Sequence, residues 1–389
     1  MRLPLLYSFR NLKRRPWRTA MTIAGITVVV FAAVIMMALS RGLFTGLDVT
    51  GDPENLLVIS RKGQNVMFSS IPEEETVYLW ALEGVAFGGV DNDLLVSPEI
   101  MHMSLVEVNG YESSKHKPVN VRGVQKFAFD VHNKVVITEG NLPENEYDIL
   151  VGSMSYAKIG VPPEALSVGN TIRFENKVWN ICGIFKAGGA IIESELWVRE
   201  EDLMTVMKRR SHTFVVVRFE DQAKMESALK EFRTSGTLER YFKGWSEKDY
   251  YREFTKSLNW VFWLSVFMVG AITLAGALIG INTMYTTIIT RMDEIATQRI
   301  LGFNRWDIAF SLLIESLSIS LISGILGAGF GLIVNGIPMK MSLGAFFLTV
   351  DTVVIIYAIG LSLFIGIIGA LLPVVKGLRL SIVEALHYE

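Results

Sequence analysis

The chain has 389 residues, of which half are hydrophobic and 20% are charged, and its formal net charge is −2. This nearly neutral balance gives no reason to expect a nucleic-acid partner. A single cysteine, Cys182, excludes an intrachain disulfide, so any exported part must fold on its own core.

The first 18 residues carry six basic side chains and no acidic one. Leu5, Leu6, Phe9 and Leu12 fall on one face of a helix, with the basic residues largely on the other face. Residues 1–18 are therefore predicted to form an amphipathic helix in the cytoplasmic interface of a membrane. A basic tail without regular structure is the alternative.

Four segments without charge are long enough to cross a bilayer, which takes about 20 apolar residues. The charge-free segments are 19–40, 257–290, 316–339 and 352–375, and the predicted membrane helices cover 19–40, 257–290, 308–335 and 352–375. The first has a longer apolar core than a cleaved signal peptide, so we expect it to remain as an anchor. Four such helices exclude a soluble enzyme and predict an integral membrane bundle.

The distribution of basic residues predicts the orientation of these helices. Basic residues beside a membrane helix are retained in the cytoplasm. The basic N-terminus is therefore expected inside, and four crossings return the tail 376–389 to the same side. Segment 291–307, with three arginines, is also inside. Segments 41–256 and 336–351 then lie outside, and the shorter one has Lys340 as its one cation.

The outer segment 41–256 has 25 Lys and Arg residues against 32 Asp and Glu residues, a net charge of −7. Apolar runs bounded by turn residues alternate in it with helical patterns, which predicts an extracytoplasmic α+β domain with two subdomains. The predicted strands are 56–60, 119–124, 134–138, 149–151, 171–174, 178–185, 190–198 and 213–219. The predicted helices are 73–82, 153–158, 200–209 and 221–233.

The histidines of this outer segment are scattered, without the spacing of metal ligands, and the Gly-x-Ser-x-Gly nucleophile motif is absent from the sequence. We therefore predict neither a metal site nor catalytic chemistry in the domain. The histidines are His102, His116, His132 and His212.

The second membrane helix is longer than a bilayer requires. At 1.5 Å per residue, segment 257–290 would span about 51 Å. We therefore expect it to extend into the cytoplasm and to lead into a hairpin over 291–307, with a helix stop at Gly302. Glu315 follows near the cytoplasmic start of the third helix, where a capping role and a function within the membrane both remain open.

Small residues four positions apart recur in the predicted membrane helices. Gly276 and Gly280 form one such pair, and Gly327 and Gly331 form another. This spacing lets helices approach closely in lipid, so we predict helix packing at these four positions.

The sequence contains no Gly-x4-Gly-Lys-Ser/Thr motif, the phosphate-binding loop of many nucleotide hydrolases. If the protein uses ATP, another chain must bind the nucleotide.

Short motifs occur in order along the chain: Arg10-Asn11-Leu12, Arg18 to Ile26, Thr138-Glu139-Gly140, Leu150-Val151-Gly152, Val168-Gly169-Asn170, Ile181 to Phe185, Asn282-Thr283-Met284, Glu294-Ile295-Ala296, Arg299 to Phe303, Asp307-Ile308, Pro373 and Val383 to Glu389. With one membrane helix, a large outer domain and three further helices, this set resembles the MacB/FtsX-type (type VII) ABC transporter permeases. Members of that family have an FtsX-like transmembrane domain and a MacB-like periplasmic core domain.

The resemblance implies a dimer, of this chain with itself or with a paralogous permease, bound to cytoplasmic ABC ATPase subunits at the inner membrane. It implies no cofactor in this chain, with ATP and magnesium in the partner ATPase. Nucleotide-driven closure of the ATPases would move the hairpin, and the second helix would transmit that movement outwards, a mechanism called mechanotransmission. A periplasmic adaptor or chaperone and membrane lipids are the other implied partners.

The resemblance also assigns the contact with the ATPase to the predicted hairpin. The expected contact residues are Arg291, Glu294, Ile295, Arg299, Gly302 and Asp307. The implied function is export or extraction of a substrate. A regulator of a cell-wall hydrolase that moves no cargo and a membrane-anchored receptor or scaffold are the alternatives.

Overall fold

A computed structural model describes residues 16–89, 92–112, 117–341 and 344–379. The predicted amphipathic helix over residues 1–18 lies outside these ranges except for its last three residues. His116 and the last ten residues of the tail 376–389 also lie outside them.

Helices and strands are numbered in chain order over the described residues. The helices are α1 (Pro16–Val49), α2 (Glu73–Trp80), α3 (Ala128–Val131), α4 (Ser155–Ile159), α5 (Glu200–Met207), α6 (Gln222–Thr234), α7 (Leu238–Tyr241), α8 (Glu247–Ser257), α9 (Asn259–Ile289), α10 (Met292–Ile300), α11 (Arg305–Ile333) and α12 (Thr352–Arg379). The strands are β1 (Asn55–Ser60), β2 (Ile71–Pro72), β3 (Phe87–Gly88), β4 (Asp93–Leu94), β5 (Val96–Leu105), β6 (Glu107–Val108), β7 (Pro118–Val124), β8 (Val136–Gly140), β9 (Asp148–Gly152), β10 (Thr171–Phe174), β11 (Lys177–Lys186), β12 (Leu196–Arg199), β13 (Ser211–His212), β14 (Phe214–Arg218), β15 (Phe242–Ser246), β16 (Pro338–Lys340) and β17 (Ala345–Phe347).

The chain divides into two compact units. Of the described residues, the helical unit comprises 16–41, Trp260–Ile337 and 348–379. The sheet unit comprises Gly42–Asn259 and Pro338–Phe347. The large sheet-rich domain is thus inserted between α1 and α9, as the sequence predicts.

Four of the described helices, α1, α9, α11 and α12, are long and apolar enough to cross a bilayer, with mean hydropathies from 1.9 to 2.6. They are apolar all round, as helices in lipid are. Small and branched side chains form a core between α1, α11 and α12: Ile26, Val30, Val34, Ala38, Ile319, Ala328, Ala358 and Ile365.

Several helix boundaries differ from the predicted ones. Helix α1 begins at Pro16 rather than at residue 19, α11 covers Arg305–Ile333 rather than 308–335, and α12 continues to Arg379 rather than ending at residue 375. Helix α1 continues to Val49, past residue 40, because the polar residues after the apolar run are compatible with a helix, and the turn comes only at Gly51, with a φ of +86°. The predicted helix over 257–290 is divided by Leu258, the C-cap of α8, so that the long apolar helix α9 begins at Asn259.

The main sheet of the second unit has the order β15-β1-β14-β5-β7-β12-β9-β11-β10-β6, with β8 paired to β11. Strand β5 joins its two halves. Residues 96–99 pair with β14, and residues 100–105 pair with β7. One long strand therefore connects the two lobes of the domain.

Each lobe has its own apolar core, which matches the two subdomains predicted from the sequence. In one lobe, Leu56 and Val215 pack with Phe232 of α6. In the other lobe, Trp179 and Leu196 pack with further strand residues and Leu203 of α5. Both faces of β1 are buried, because Leu57 and Ile59 belong to a further cluster on the opposite face.

Most of the predicted strands are confirmed within one or two residues, and the prediction for 190–198 is partly wrong. A 3-10 turn, Ile191–Ser194, precedes a strand that begins only at Leu196. The sequence analysis did not predict β5, because Pro98 and Glu99 interrupt its apolar pattern. It also missed β15.

Candidate functional site

The segment 291–307 forms a short helix and a turn. Helix α10 ends at Ile300, and Gly302, two residues later, has a φ of +89°, a conformation that favours glycine. The amide of Gly302 donates to the carbonyl of Arg299 (3.1 Å), and that of Phe303 donates to the carbonyl of Gln298 (3.1 Å). These bonds satisfy the last carbonyls of the helix, and α11 starts three residues after Gly302.

Arg291 ties the start of this segment to the neighbouring helix. Its Nη1 lies 2.9 Å from Oε2 of Glu315 in α11, and its Nε lies 3.1 Å from Oε2 of Glu294. The side chains of Arg291 and Glu315 are only 12% and 9% exposed. Burial alone would lower the pKa of Arg291, but Glu315 and Glu294 together raise it above its usual value. Glu315 thus acts as a partner of the segment rather than as a helix cap.

The inner face of α10 packs on the other helices of its unit. Met292 and Ala296 are buried, and Ile295 lies against an apolar cluster from three long helices. The cluster contains Met284, Ile288, Ile308, Ala309, Leu312, Ala370 and Val374. Among the residues predicted to contact an ATPase, Arg291 and Ile295 therefore point largely into their own unit.

The outer face of the segment carries large apolar side chains. Ile300 is 64% exposed, Leu301 is 68% exposed and Trp306 is 76% exposed. Glu294 and Gly302 are exposed beside them, and Arg299 and Asp307 are half-buried. The sequence analysis did not single out Ile300 or Leu301, although their place at the end of an amphipathic helix is the signal that would have found them. We call Glu294, Arg299, Ile300, Leu301 and Trp306 the outer ridge.

A second arginine joins α1 to α9 near the same segment. Nη2 of Arg18 donates to the carbonyl oxygen of Thr283 (2.9 Å) and to Oγ1 of Thr287 (3.0 Å). Its Nη1 also donates to Oγ1 of Thr290 (3.3 Å). The polar stretch after residue 281 therefore forms the acceptor side of a helix-to-helix contact.

The four glycines singled out in the sequence lie where helices approach each other. A Cβ on Gly327 would lie 2.8 Å from Val30, and one on Gly331 would lie 2.5 Å from Val34, both in α1. A Cβ on Gly276 would meet Val29 at 2.8 Å.

The fourth glycine meets another glycine. A Cβ on Gly280 would lie 3.2 Å from Cα of Gly369 in α12. Backbone-to-backbone approach of α9 and α12 at this point leaves no room for a larger side chain without displacement of one helix.

The sheet unit contains a buried ionic network that the sequence analysis missed. Arg122 in β7 donates from Nη1 to Glu99 (2.7 Å) and from Nε to Glu195 (2.7 Å). His132 Nε2 lies 2.7 Å from Glu99 and its Nδ1 lies 3.8 Å from Glu247. All five residues are less than a tenth exposed.

The charges of this network hold each other ionised. Burial would raise the pKa of Glu99, but His132 and Arg122 together lower it to about 2. Burial would lower the pKa of His132, yet Glu99 and then Glu247 raise it above its usual value. The imidazole is therefore held as a cation between carboxylates.

Glu247 connects this network to the end of the sheet unit. It is the first residue of α8, and Oε2 accepts from the amide of Asp52 (3.0 Å) and from Nδ2 of Asn55 (2.9 Å). Residues of β1, β5, β7 and β12 thus share one network with the helix that precedes α9 in the chain.

The histidines of the described outer segment pair with glutamates. His212 lies 2.6 Å from Glu200, and His102 lies 3.2 Å from Glu175. Over residues 16–379, apart from the short gaps noted above, no group of three His, Cys, Asp or Glu side chains is placed to hold a metal ion.

Comparison with known families covers most of the chain. Residues 19–235 match the family described as MacB-like periplasmic core domain, and residues 266–382 match the FtsX-like permease C-terminal family.

Two curated relatives match over nearly the whole chain. The uncharacterized ABC transporter permease YknZ of Bacillus subtilis is 21% identical, over 96% of this chain and 95% of its own. The macrolide export ATP-binding/permease protein MacB of Wolinella succinogenes is 22% identical, over 98% of this chain but 60% of its own. Among solved structures, the periplasmic region of MacB from Actinobacillus actinomycetemcomitans matches 53% of this chain and 94% of its own, at 12% identity and a TM-score of 0.38.

Proposed function

Because this chain belongs to the MacB/FtsX-type family of ABC transporter permeases, we propose that it is the membrane subunit of an ATP-driven machine that works by mechanotransmission. A separate ATPase subunit hydrolyses ATP, and this chain transfers the resulting movement to its outer sheet unit for export or extraction of a substrate. In this proposal the chain crosses the inner membrane four times, through α1, α9, α11 and α12, with both termini in the cytoplasm.

The outer ridge is the observation that carries this proposal. Three large apolar side chains, Ile300, Leu301 and Trp306, are more than 60% exposed on a short segment flanked by charged residues. Exposed apolar side chains ringed by polar ones mark a protein contact. In the proposed orientation this segment faces the cytoplasm, so the ATPase docks on the outer ridge, and Glu294, Arg299, Gly302 and Asp307 contribute to the rim.

The inner face of the same segment supports a mechanical role. Arg291 binds Glu315 of α11, while Ile295 packs against residues of α9, α11 and α12. A displacement of α10 must therefore move these three helices together, because close-packed interiors transmit displacement rather than absorb it. Arg291 and Ile295 serve this transmission, and the outer ridge serves the docking.

Two observations support the proposed partners: the family to which the chain belongs, and the apolar surface of α9. One relative is named as an ATP-binding/permease protein and is matched over 60% of its length, which favours ATP and magnesium binding in a partner chain for this protein. Helix α9 exposes Trp260, Trp263, Phe267 and Leu274. Lipid and a second permease, identical or paralogous, cover these side chains in the proposal. A periplasmic adaptor or chaperone is the remaining proposed partner.

Co-isolation tests this assignment directly. The tagged full chain is extracted gently from its native membrane, and the bound proteins are identified and assayed for ATP hydrolysis. A stoichiometric subunit with a phosphate-binding loop is expected. Leu301→Asp is expected to weaken its retention by at least about tenfold, because it places a charge at the centre of an apolar contact.

Leu105→Asp is the matched control, since Leu105 is 51% exposed and lies in the sheet unit. This variant is expected to retain the ATPase subunit. A cargo-free wall regulator would carry a hydrolase activator in the eluate. Isolation without any ATPase from several mild detergents contradicts the proposal and favours the receptor or scaffold.

A further inference from the structure

Two lysine side chains converge on one glycine of the sheet unit. Gly160 caps α4 with a φ of +83°. Nζ of Lys340 lies 2.8 Å from the point that a Cβ on Gly160 would occupy, and Nζ of Lys117 lies closer still. The two nitrogens are therefore less than 5.6 Å apart, twice 2.8 Å. Glycine leaves this space free for both ammonium groups.

A third lysine completes the group. Lys158, in the last turn of α4, is half-buried, and its Nζ donates to the carbonyl oxygen of Met341 (2.7 Å). It thereby holds the hairpin of β16 and β17 against α4, beside Lys117 and Lys340. We call Lys117, Lys158 and Lys340 the lysine triad.

The charges that act on Lys340 come from the other two lysines. The pKa of Lys340 is lowered by burial first, then by Lys117 at hydrogen-bonding range and by the charge of Lys158. Among the described residues, neither Lys117 nor Lys340 forms an ion pair with a carboxylate. Acidic residues outnumber basic ones, 32 to 25, in segment 41–256, which contains Lys117.

The end of α4 does not account for this arrangement. The C-terminus of a helix carries about half a negative charge and attracts cations. Helix α4 has only five residues, and half a charge does not neutralise the two ammonium groups of Lys117 and Lys340. Ammonium groups are donors without acceptor capacity, so an acceptor placed between two of them at this range would stabilise both in the charged form.

We propose that the lysine triad is a binding site for a phosphate group. Lys117 and Lys340 hold the phosphate by charge-assisted hydrogen bonds, and Lys158 fixes the strand that carries Lys340 through its bond to Met341. Lysine binds phosphate as a point charge with rotatable donors, which suits a site built from three separate segments. The phosphate belongs either to the headgroup of a membrane lipid or to a soluble phosphate in the medium.

Chain connectivity favours the lipid source. In the chain, Lys340 follows Ile333, the last residue of the predicted membrane helix α11, by seven residues. A basic group near the membrane surface attracts anionic headgroups. The lipid source rests on the proposed membrane orientation, whereas the test of phosphate binding involves neither the ATPase nor its activity.

Thermal unfolding of the purified full chain in detergent tests the site. Inorganic phosphate, titrated against chloride at constant ionic strength, is expected to raise the Tm by a few degrees in the wild type. The double variant Lys117→Gln, Lys340→Gln should lose this response. Lys186→Gln, at an exposed position of β11, should keep it.

The variant Lys340→Glu distinguishes a loss of phosphate binding from a loss of folding. The new carboxylate pairs with Lys117 internally, so this variant should have a Tm at or above that of the phosphate-free wild type and no response to phosphate. A phosphate response that survives in both variants overturns the proposal. An absent response in the wild type overturns the proposal unless the lipid measurement is positive.

Native mass spectrometry from nanodiscs containing phosphatidylglycerol and phosphatidylcholine distinguishes the two sources. Retention of phosphatidylglycerol by the wild type and its loss from the double variant assign the site to lipid. A phosphate response without such retention assigns it to soluble phosphate. Absence of both rejects the site.

Discussion

In the sheet unit Arg122 lies between two buried glutamates, whereas in the helical unit the closest helix contacts are made by glycines. Glu99, Arg122, His132, Glu195 and Glu247 are all buried in the first unit. Among the described residues of the helical unit, Glu315 is the one charged residue that is buried, and it lies beside the segment 291–307.

The difference follows from the solvent proposed for each unit. A water-exposed domain gains stability from apolar burial and can place a paired ionic network at the junction of its lobes. Helices in lipid gain nothing from apolar burial, so they associate through close approach of small residues. Each unit should therefore be sensitive to a different kind of substitution.

Of the substitutions that test this difference, Arg122→Met is expected to lower the stability of the chain most. It leaves Glu99 and Glu195 buried without their shared partner, which costs about 3–5 kcal/mol of unfolding free energy. Thermal unfolding of the full chain, followed by tryptophan fluorescence, measures it, because Trp197 lies 5.3 Å from the guanidinium of Arg122.

Arg252→Met serves as its control, since Arg252 is exposed and pairs with Asp249 on the surface of α8. Its expected cost is below about 1 kcal/mol. Equal effects of the two substitutions would show that the buried network does not hold the sheet unit together.

Gly331→Ala tests the helical side. The added Cβ would lie 2.5 Å from Val34, so α1 and α11 must separate, at a cost of about 1–3 kcal/mol. Gly329, two residues earlier, has no neighbour within 4 Å, and Gly329→Ala should stabilise by up to about 1 kcal/mol through helix propensity. Thermal unfolding in detergent compares the two. If both substitutions destabilise the chain, or if neither does, the result contradicts close packing at Gly331.

His132→Gln is expected to have the smallest effect, and one that depends on pH. The pKa of His132 is raised in the folded chain, so its contribution is fully present below the unfolded value of about 6.5 and is lost as pH rises through the folded value. The stability difference between wild type and variant should shrink with rising pH, by at most about 1.4 kcal/mol per pH unit. A difference that is constant from pH 6 to pH 9 would contradict a protonated His132.

The helices and strands with a regular apolar pattern could be predicted from the sequence. Strand β10 was predicted to the residue, and the long helices stand out because lipid requires uninterrupted apolar runs. Strand β5 was missed because Pro98 and Glu99 break the pattern. Glu99 is tolerated there only because Arg122 and His132, distant in sequence, lie against it.

The segment 291–307 was also predictable only in part. Its position and the stop at Gly302 follow from local sequence. Local sequence does not show which side chains face inwards. The pairing of Arg291 with Glu315 and the packing of Ile295 depend on how α9, α11 and α12 contact each other. The predicted contact residues therefore divide into an inner and an outer group only in three dimensions.

The most direct test of the account is ATP hydrolysis by the complex isolated from native membranes with wild-type chain and with Arg299→Glu. Arg299 lies on the outer ridge, and the control Arg252→Glu changes an exposed arginine of the sheet unit. Arg299→Glu is expected to lower hydrolysis by at least about tenfold while the chain remains inserted in the membrane, and the control is expected to leave hydrolysis unchanged. Undiminished hydrolysis with Arg299→Glu and Glu294→Arg alike would contradict a coupling role for the segment 291–307.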